Sequence, residues 1–197
     1  MTDNQINQLV TQAQQGEQHA FSNIVKLYQQ KVFRYCYAML ANQQDAEDLT
    51  QDTFIRAYKS LSHYSHEDNF VGWLLTIAHR LCLNKLKKNN RLYALLQKLY
   101  LEQSPTYTDE PESHHNDYIF TLLNSLKPKH RAVVIFKVIH GFSYEEMSRI
   151  LQDNPTKLRK QYERAKKALQ KKSTTIEKII EGGEAYEYRP NLRTTNS

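Results

Sequence analysis

Asp45, Asp48, Gln51 and Asp52 crowd the first half of the segment DAEDLTQDTFIRAY, with Ile55 a few residues on. Carboxylates at such density do acid–base chemistry only when a neighbouring group pushes their pKa values apart, and this segment supplies no such partner. Wound as an α-helix, it sorts into two faces instead. Ala46, Leu49, Thr53, Phe54, Ala57, Tyr58 and Leu61 recur at three- and four-residue steps and form a stripe that needs a core. Asp48 and Ile55, seven apart, lie nearly in line on the other face, so three carboxylates surround an apolar branched side chain. That pattern suggests a surface for docking another protein; the competing reading is a merely solvated acidic face.

A second chemistry is carried by cations. The net charge of +6 and pI near 9.2 point to a polyanionic partner, and the charge is concentrated in two runs. Arg80, Lys85, Lys87, Lys88 and Arg91 follow one another without an intervening acid. Lys157, Arg159, Lys160, Arg164, Lys166, Lys167, Lys171 and Lys172 face Glu163 alone. Between the acidic segment and the first run stands SHYSHEDN, a polar loop whose histidines and tyrosine can stack and hydrogen-bond. His63 and His66 lack a clear third ligand, so contact with nucleic acid suits them better than a metal.

Other chemistries find no residues to carry them. Five glycines disfavour a phosphate-cradling loop, and neither a nucleophile elbow, a zinc quartet nor an HExxH motif occurs. Cys36 and Cys82 lie in separate apolar segments and read as buried free thiols. The expectation is a non-enzyme without cofactor, metal or small-molecule substrate. No apolar run approaches the ~18 residues of a membrane span, and MTDNQINQL lacks a secretory signature, which predicts a cytoplasmic protein without membrane insertion.

The elements that must position these groups are all helical. Gln5 to Gln15 predicts a short helix ended by Gly16, and Glu17 to Leu40 a long one with a wide apolar face that includes Leu27. Asn42 breaks it before the acidic helix. Phe70 to Lys88 turns Phe70, Trp73, Leu74, Ile77, Ala78, Leu81 and Cys82 inward, and Thr76, His79, Arg80, Asn84 and Lys87 to another side. Asn89 to Leu101 can continue that helix, and Glu102 to His115, with two prolines and several acids, predicts a linker.

Asn116 to Ser125 and Lys129 to Ile139 follow as apolar-faced helices, the second opened by Pro128 and closed by Gly141. Ser143 and Glu146 form a capping-box pair before Tyr144 to Leu151, and Asn154 with Pro155 starts a last helix. Leu158, Tyr162, Ala165 and Leu169 line its inner side, which turns Thr156, Lys160, Arg164, Lys167 and Lys171 outward with Lys157 beside them. A capped short helix followed by a basic one fits a helix-turn-helix; a basic helix lying on a membrane surface is the structural competitor.

D-A-E-D-L-x-Q-D-x-F-x-R-A-Y resembles the core-polymerase-binding segment of bacterial sigma factors of the extracytoplasmic-function type, in the sigma-70 family. Phe70, Trp73, Leu74, Ile77 and Ala78 of FVGWLLTIAHRLCLN resemble the family's promoter-melting segment, with His79 and Arg80 departing from its usual Arg-Asn pair. L-x-P-x-x-R-x-V-V, G-F-S-Y-E-E-M-S-R-I-L and R-A-K-K-A-L resemble its −35 reader, carried by residues including Leu126, Pro128, Arg131 and Gly141. Gln152 and Asp153 stand where the family has Gly and an apolar residue, and Lys157 and Gln161 replace the commoner Thr and Arg, so the bend and the sequence it reads are expected to be unusual.

The resemblance implies an all-α protein of two small helical domains joined by an acidic flexible linker. Residues 1–98 make the core-binding and promoter-melting bundle, 99–115 the linker, 116–172 a four-helix helix-turn-helix domain, and 173–197 a mobile tail. It implies that Asp45, Asp48, Leu49, Gln51, Asp52, Phe54 and Ile55 contact or support a helical hairpin of the largest polymerase subunit, whose flap is a further partner. His63, Tyr64, His66, Asn69, Thr76, His79, Arg80, Asn84 and Lys87 are implied at the −10 element. Ser143, Tyr144, Asn154, Thr156, Lys157, Lys160, Gln161, Arg164 and Lys167 are implied at the −35 element. The linker would run through the polymerase's RNA exit path, and an anti-sigma factor is a further implied partner. The expected function is promoter-specific initiation with core RNA polymerase and promoter DNA, in a stress- or envelope-responsive regulon. Its rivals are a stand-alone helix-turn-helix regulator and a helical adaptor with solvated basic faces.

Overall fold

The computed structural model describes residues 3–65, 69–99 and 115–171, and all its regular structure there is helical. The elements are α1 (Asp3–Gln14), α2 (Gln18–Leu40), α3 (Gln43–Ser60), a 3₁₀ turn (Leu61–His63), α4 (Phe70–Leu99), α5 (His115–Asn124), α6 (Pro128–Val134), a π turn (Ile135–Ile139), α7 (Tyr144–Leu151) and α8 (Pro155–Gln170). The linker segment 100–114 and the tail from 172 lie outside the described residues.

Local signals set most of these boundaries. Gly16 takes a left-handed φ of 95° after α1, a conformation that costs glycine little. Ala41 takes φ 50° at the end of α2, and its N–H donates to the Tyr37 carbonyl at 2.8 Å. Asn42 then caps α3, its side-chain oxygen accepting from the Asp45 N–H at 2.8 Å. Only this two-residue corner separates the two helices, so α3 is folded directly back onto α2. Pro128 opens α6 at its first turn, where a missing N–H costs nothing.

Two helical domains follow. Val10, Ile24, Val32, Met39, Ala46, Ala57, Leu74, Leu75 and Cys82 fill the first, drawn from α1 to α4. Leu122, Leu126, Val133, Ile135, Met147, Leu158 and Leu169 fill the second. Their cores are continuous. Phe136, in the π turn, stacks on Tyr35 of α2 at 4.7 Å between ring centres, and both are fully buried. Arg131 of α6 reaches across to donate to the Met39 carbonyl near the end of α2, while its other terminal nitrogen donates to the Asn124 and Leu126 carbonyls at 2.7 and 3.2 Å.

Two details depart from the sequence pattern. Leu27 and Tyr58, expected on inner faces, are exposed; Tyr58 rests edge-on against Phe21 at 4.9 Å. Phe70 to Leu99 is one unbroken helix, the continuation past Asn89 that the sequence allowed. The segment Lys129 to Ile139 widens to π geometry in its last turn, where the His140 N–H reaches the Ile135 carbonyl at 3.2 Å.

Candidate functional site

The acidic helix α3 is seated as its pattern demands. Leu49 and Phe54 are buried, and the Thr53 hydroxyl, also buried, donates to the Leu49 carbonyl at 2.6 Å, so no polar group in the seat is left unpaired there. These two apolar residues hold the helix and are not free for a partner. Asp48, Gln51 and Asp52 are exposed, and Ile55 stands 52% exposed among them. Tyr58, 46% exposed, extends the apolar strip one turn further. Asp45 is otherwise engaged: Lys85 of α4 binds its carboxylate at 2.6 Å, which ties the start of α3 to the basic helix.

The residues expected to meet DNA on the first domain divide three ways. Arg80, Asn84 and Lys87 are exposed at helical spacing on α4, followed by Lys88 and Arg91. His63 is exposed on the 3₁₀ turn, and Asn69 caps α4, accepting from the Gly72 N–H at 3.2 Å. Thr76 is half-buried and its hydroxyl donates to the Gly72 carbonyl at 2.8 Å. His66 lies outside the described residues.

Tyr64 and His79 are corrections, because neither reaches the surface. Tyr64 closes the core against Phe70 and Trp73, at 5.2 and 5.1 Å between ring centres. His79 is 8% exposed, its Nδ1 is 2.6 Å from the Tyr35 hydroxyl, and Phe136 covers its ring. Burial first, and the neighbouring Arg80 charge second, lower its pKa to about 4. A neutral, buried imidazole serves the seam between the domains and not a phosphate.

The same seam covers part of α4. A Cβ added to Gly72 would meet the Ile150 side chain of α7 at 3.6 Å, and Trp73 and Thr76 share a cleft with Phe142, Glu146 and Arg149. A DNA strand cannot lie on that stretch of α4 while α7 is seated there.

The helix-turn-helix is built from caps. The Ser143 hydroxyl accepts from the Glu146 N–H at 3.2 Å, and the Ser143 N–H donates to the Glu146 carboxylate at 2.8 Å, which holds that carboxyl below its usual range. Lys137 Nζ lies over the Tyr144 ring, 5.2 Å from its centre. Asn154 caps α8, accepting from the Thr156 N–H at 2.8 Å. Thr156, Lys157, Lys160, Arg164 and Lys167 are exposed on α8 as the pattern predicts.

Gln161 is the exception. It is 9% exposed and its Nε2 donates to Asp153 Oδ2 at 3.2 Å. Asp153 also binds Lys157 Nζ at 3.0 Å and accepts from the Asn154 N–H at 2.9 Å, while Gln152 takes the left-handed φ of 52°. The atypical turn is therefore closed by a carboxylate where an apolar side chain was expected.

Arg131 was legible only as a motif letter. Its long reach to a carbonyl 92 residues away has no local sequence signal, because nothing in the order of residues says where α2 ends in space. No group of three or more metal-ligating side chains occurs among the described residues, and none of their helices is long and apolar enough to cross a membrane.

Residues 24–92 match the family model for Sigma-70 region 2, and residues 116–169 match that for Sigma-70, region 4. Among similar proteins, the ECF RNA polymerase sigma factor SigW of Bacillus subtilis is 29% identical over 178 residues, spanning 84% of this chain and 95% of that protein. The ECF RNA polymerase sigma factor SigE of Mycolicibacterium smegmatis is 32% identical over 142 residues, spanning 70% of this chain and 55% of that protein. The fold is similar to that of the sigma factor RpoE in complex with the anti-sigma factor NepR from Bartonella quintana, with a TM-score of 0.64 and 22% identity over 77% of this chain and 94% of that one. It is also similar to CnrH in complex with the cytosolic domain of CnrY, with a TM-score of 0.63 and 21% identity over 82% of this chain and 92% of that one. With both regions matched in order on one chain, this protein belongs to the sigma-70 family, as an RNA polymerase sigma factor of the ECF type.

Proposed function

We propose that this chain binds core RNA polymerase through the outer face of α3, Asp48, Gln51, Asp52 and Ile55, and directs it to promoters read by α4 and α8. The observation that carries the reading is the pairing on one chain of a firmly seated helix with an unpartnered acidic and apolar face and a capped helix-turn-helix with a basic outer face. Leu49 and Phe54 support the docking face from beneath, and Asp45 positions it through Lys85. Residues 1–98 form the polymerase-binding unit, 99–115 the linker, 116–172 the −35 unit and 173–197 a tail.

The division of labour follows from the side chains. Arg80, Lys87, Lys160, Arg164 and Lys167 neutralise phosphates and give affinity that falls with salt, whereas Asn69, Thr76, Asn84 and Thr156 offer the neutral donors and acceptors that discriminate bases. Because α7 covers Gly72 to Thr76, engagement of the −10 strand on that stretch requires α7 to move away. The chain performs no bond chemistry itself; the polymerase does. It works in the cytoplasm, under an anti-sigma factor of the kind its fold relatives carry.

Run-off transcription on fragmented genomic DNA, with core polymerase alone and with this chain added, tests the reading. New discrete transcripts sharing paired upstream elements are expected. Tight operator binding without polymerase, and no new transcripts, would favour a stand-alone regulator.

A further inference from the structure

We propose that Asp153 is a specificity-determining positioning residue of the −35 reader: it withdraws Gln161 from the groove, so that Gln161 reads no base. The inference rests on α8 being the recognition helix. Three donors converge on one carboxylate. Oδ1 takes the Asn154 N–H at 2.9 Å and Lys157 Nζ at 3.0 Å, and Oδ2 takes Gln161 Nε2 at 3.2 Å. The left-handed Gln152, whose N–H is bonded to the Ser148 carbonyl, turns the chain so that Asp153 overhangs the first two turns of α8.

The two side chains it holds are held unequally. The Lys157 side chain is 61% exposed, and a surface ion pair one turn apart is weak enough for a DNA phosphate to replace. Gln161 is different, since it is only 9% exposed and its amide is bonded as well. A glutamine free on a recognition helix offers a donor and an acceptor that match adenine N6 and N7 in the major groove. With Nε2 given to Asp153 and the side chain covered, Gln161 cannot span a base edge. Thr156, Lys160 and Arg164 remain along one side of the helix, each exposed and four residues from the next, Thr156 to read a base and the two cations to hold phosphates.

Selection of −35 sequences from randomised promoters by holoenzyme, assembled from core polymerase and the full chain, tests this. Gln161→Ala is expected to leave the selected sequence unchanged. Asp153→Ala, which frees Gln161, is expected to shift preference toward adenine at one base step by about tenfold or more, the scale of one bidentate contact. Adding Gln161→Ala to Asp153→Ala removes that shift. Altered base choice in Gln161→Ala overturns the assignment, as does an unchanged preference in Asp153→Ala. Should Asp153→Ala fail to fold by circular dichroism, the Gln161→Ala selection still decides. Wild-type holoenzyme that selects no sequence at all overturns the recognition-helix reading, and this assignment with it.

Discussion

His79 makes the seam between the domains sensitive to acid, with a size and sign that follow from its burial. Its pKa is about 4 in the folded chain against 6.5 for an unperturbed histidine. The unfolded chain therefore takes up this proton first, so the stabilisation is fully present above pH 6.5 and is lost as pH falls toward 4. The whole difference corresponds to about 3 kcal/mol, of which about 2 kcal/mol is lost by pH 5. The assay is urea unfolding at pH 8 and pH 5, followed by fluorescence of Trp73, the single tryptophan, whose ring lies 5.1 Å from Tyr64. His79→Phe removes the titration and leaves the Tyr35 hydroxyl unpaired, at a cost of about 1–3 kcal/mol that is the same at both pH values. Carboxylates, and the buried His140, whose pKa of about 3 reflects burial and then Lys31 and Arg34, titrate in both proteins and cancel. Wild type should therefore lose about 2 kcal/mol more than His79→Phe between pH 8 and pH 5. Parallel losses in the two proteins would refute the placement of His79 as a buried neutral group.

Asp48→Ala combined with Gln51→Ala should weaken core polymerase binding by about tenfold, roughly 1.4 kcal/mol, and leave the circular dichroism spectrum unchanged, because both side chains are exposed. Loss of helicity in that variant would mean the outer face of α3 is misassigned. Arg164→Ala should reduce the slope of log affinity against log salt for promoter DNA by about 0.9, one phosphate's worth, measured by fluorescence anisotropy with holoenzyme. An unchanged slope removes Arg164 from the backbone contacts. Gly72→Cys with Ile150→Cys, at a site where a Gly72 Cβ lies 3.6 Å from the Ile150 side chain, should form a disulfide that holds α7 on α4. Oxidised, that variant should fail to open promoters, with activity returning on reduction; full activity while oxidised would show that DNA does not use this stretch of α4.

What the sequence makes legible and what it hides separate along a physical line. Caps, turns and amphipathic stripes are local, so Asn42, Ser143 with Glu146, Asn154 and the buried row of Leu49 and Phe54 could all be read from neighbours in sequence. The exposure of Ile55 among carboxylates on the outer face of α3 was legible for the same reason, since it breaks a local pattern. His79 was not, because a histidine between cations on a helix looks the same whether DNA or Tyr35 faces it, and Tyr35 lies 44 residues away. Gln161 misled in a related way. Its position on α8 falls next to the inner row, and whether it turns toward the groove or toward the turn depends on Asp153, whose departure from the family pattern was visible while its consequence was not. Arg131 shows the limit most clearly, because a buried guanidinium is tolerable only where carbonyls converge on it, and the ends of α2 and α5 meet there only once both domains have folded. His79 and Gln161 were thus misread, and the reach of Arg131 left unread, where one element's chemistry is completed by another: His79 and Arg131 at the seam between the domains, and Gln161 under the turn that precedes its own helix.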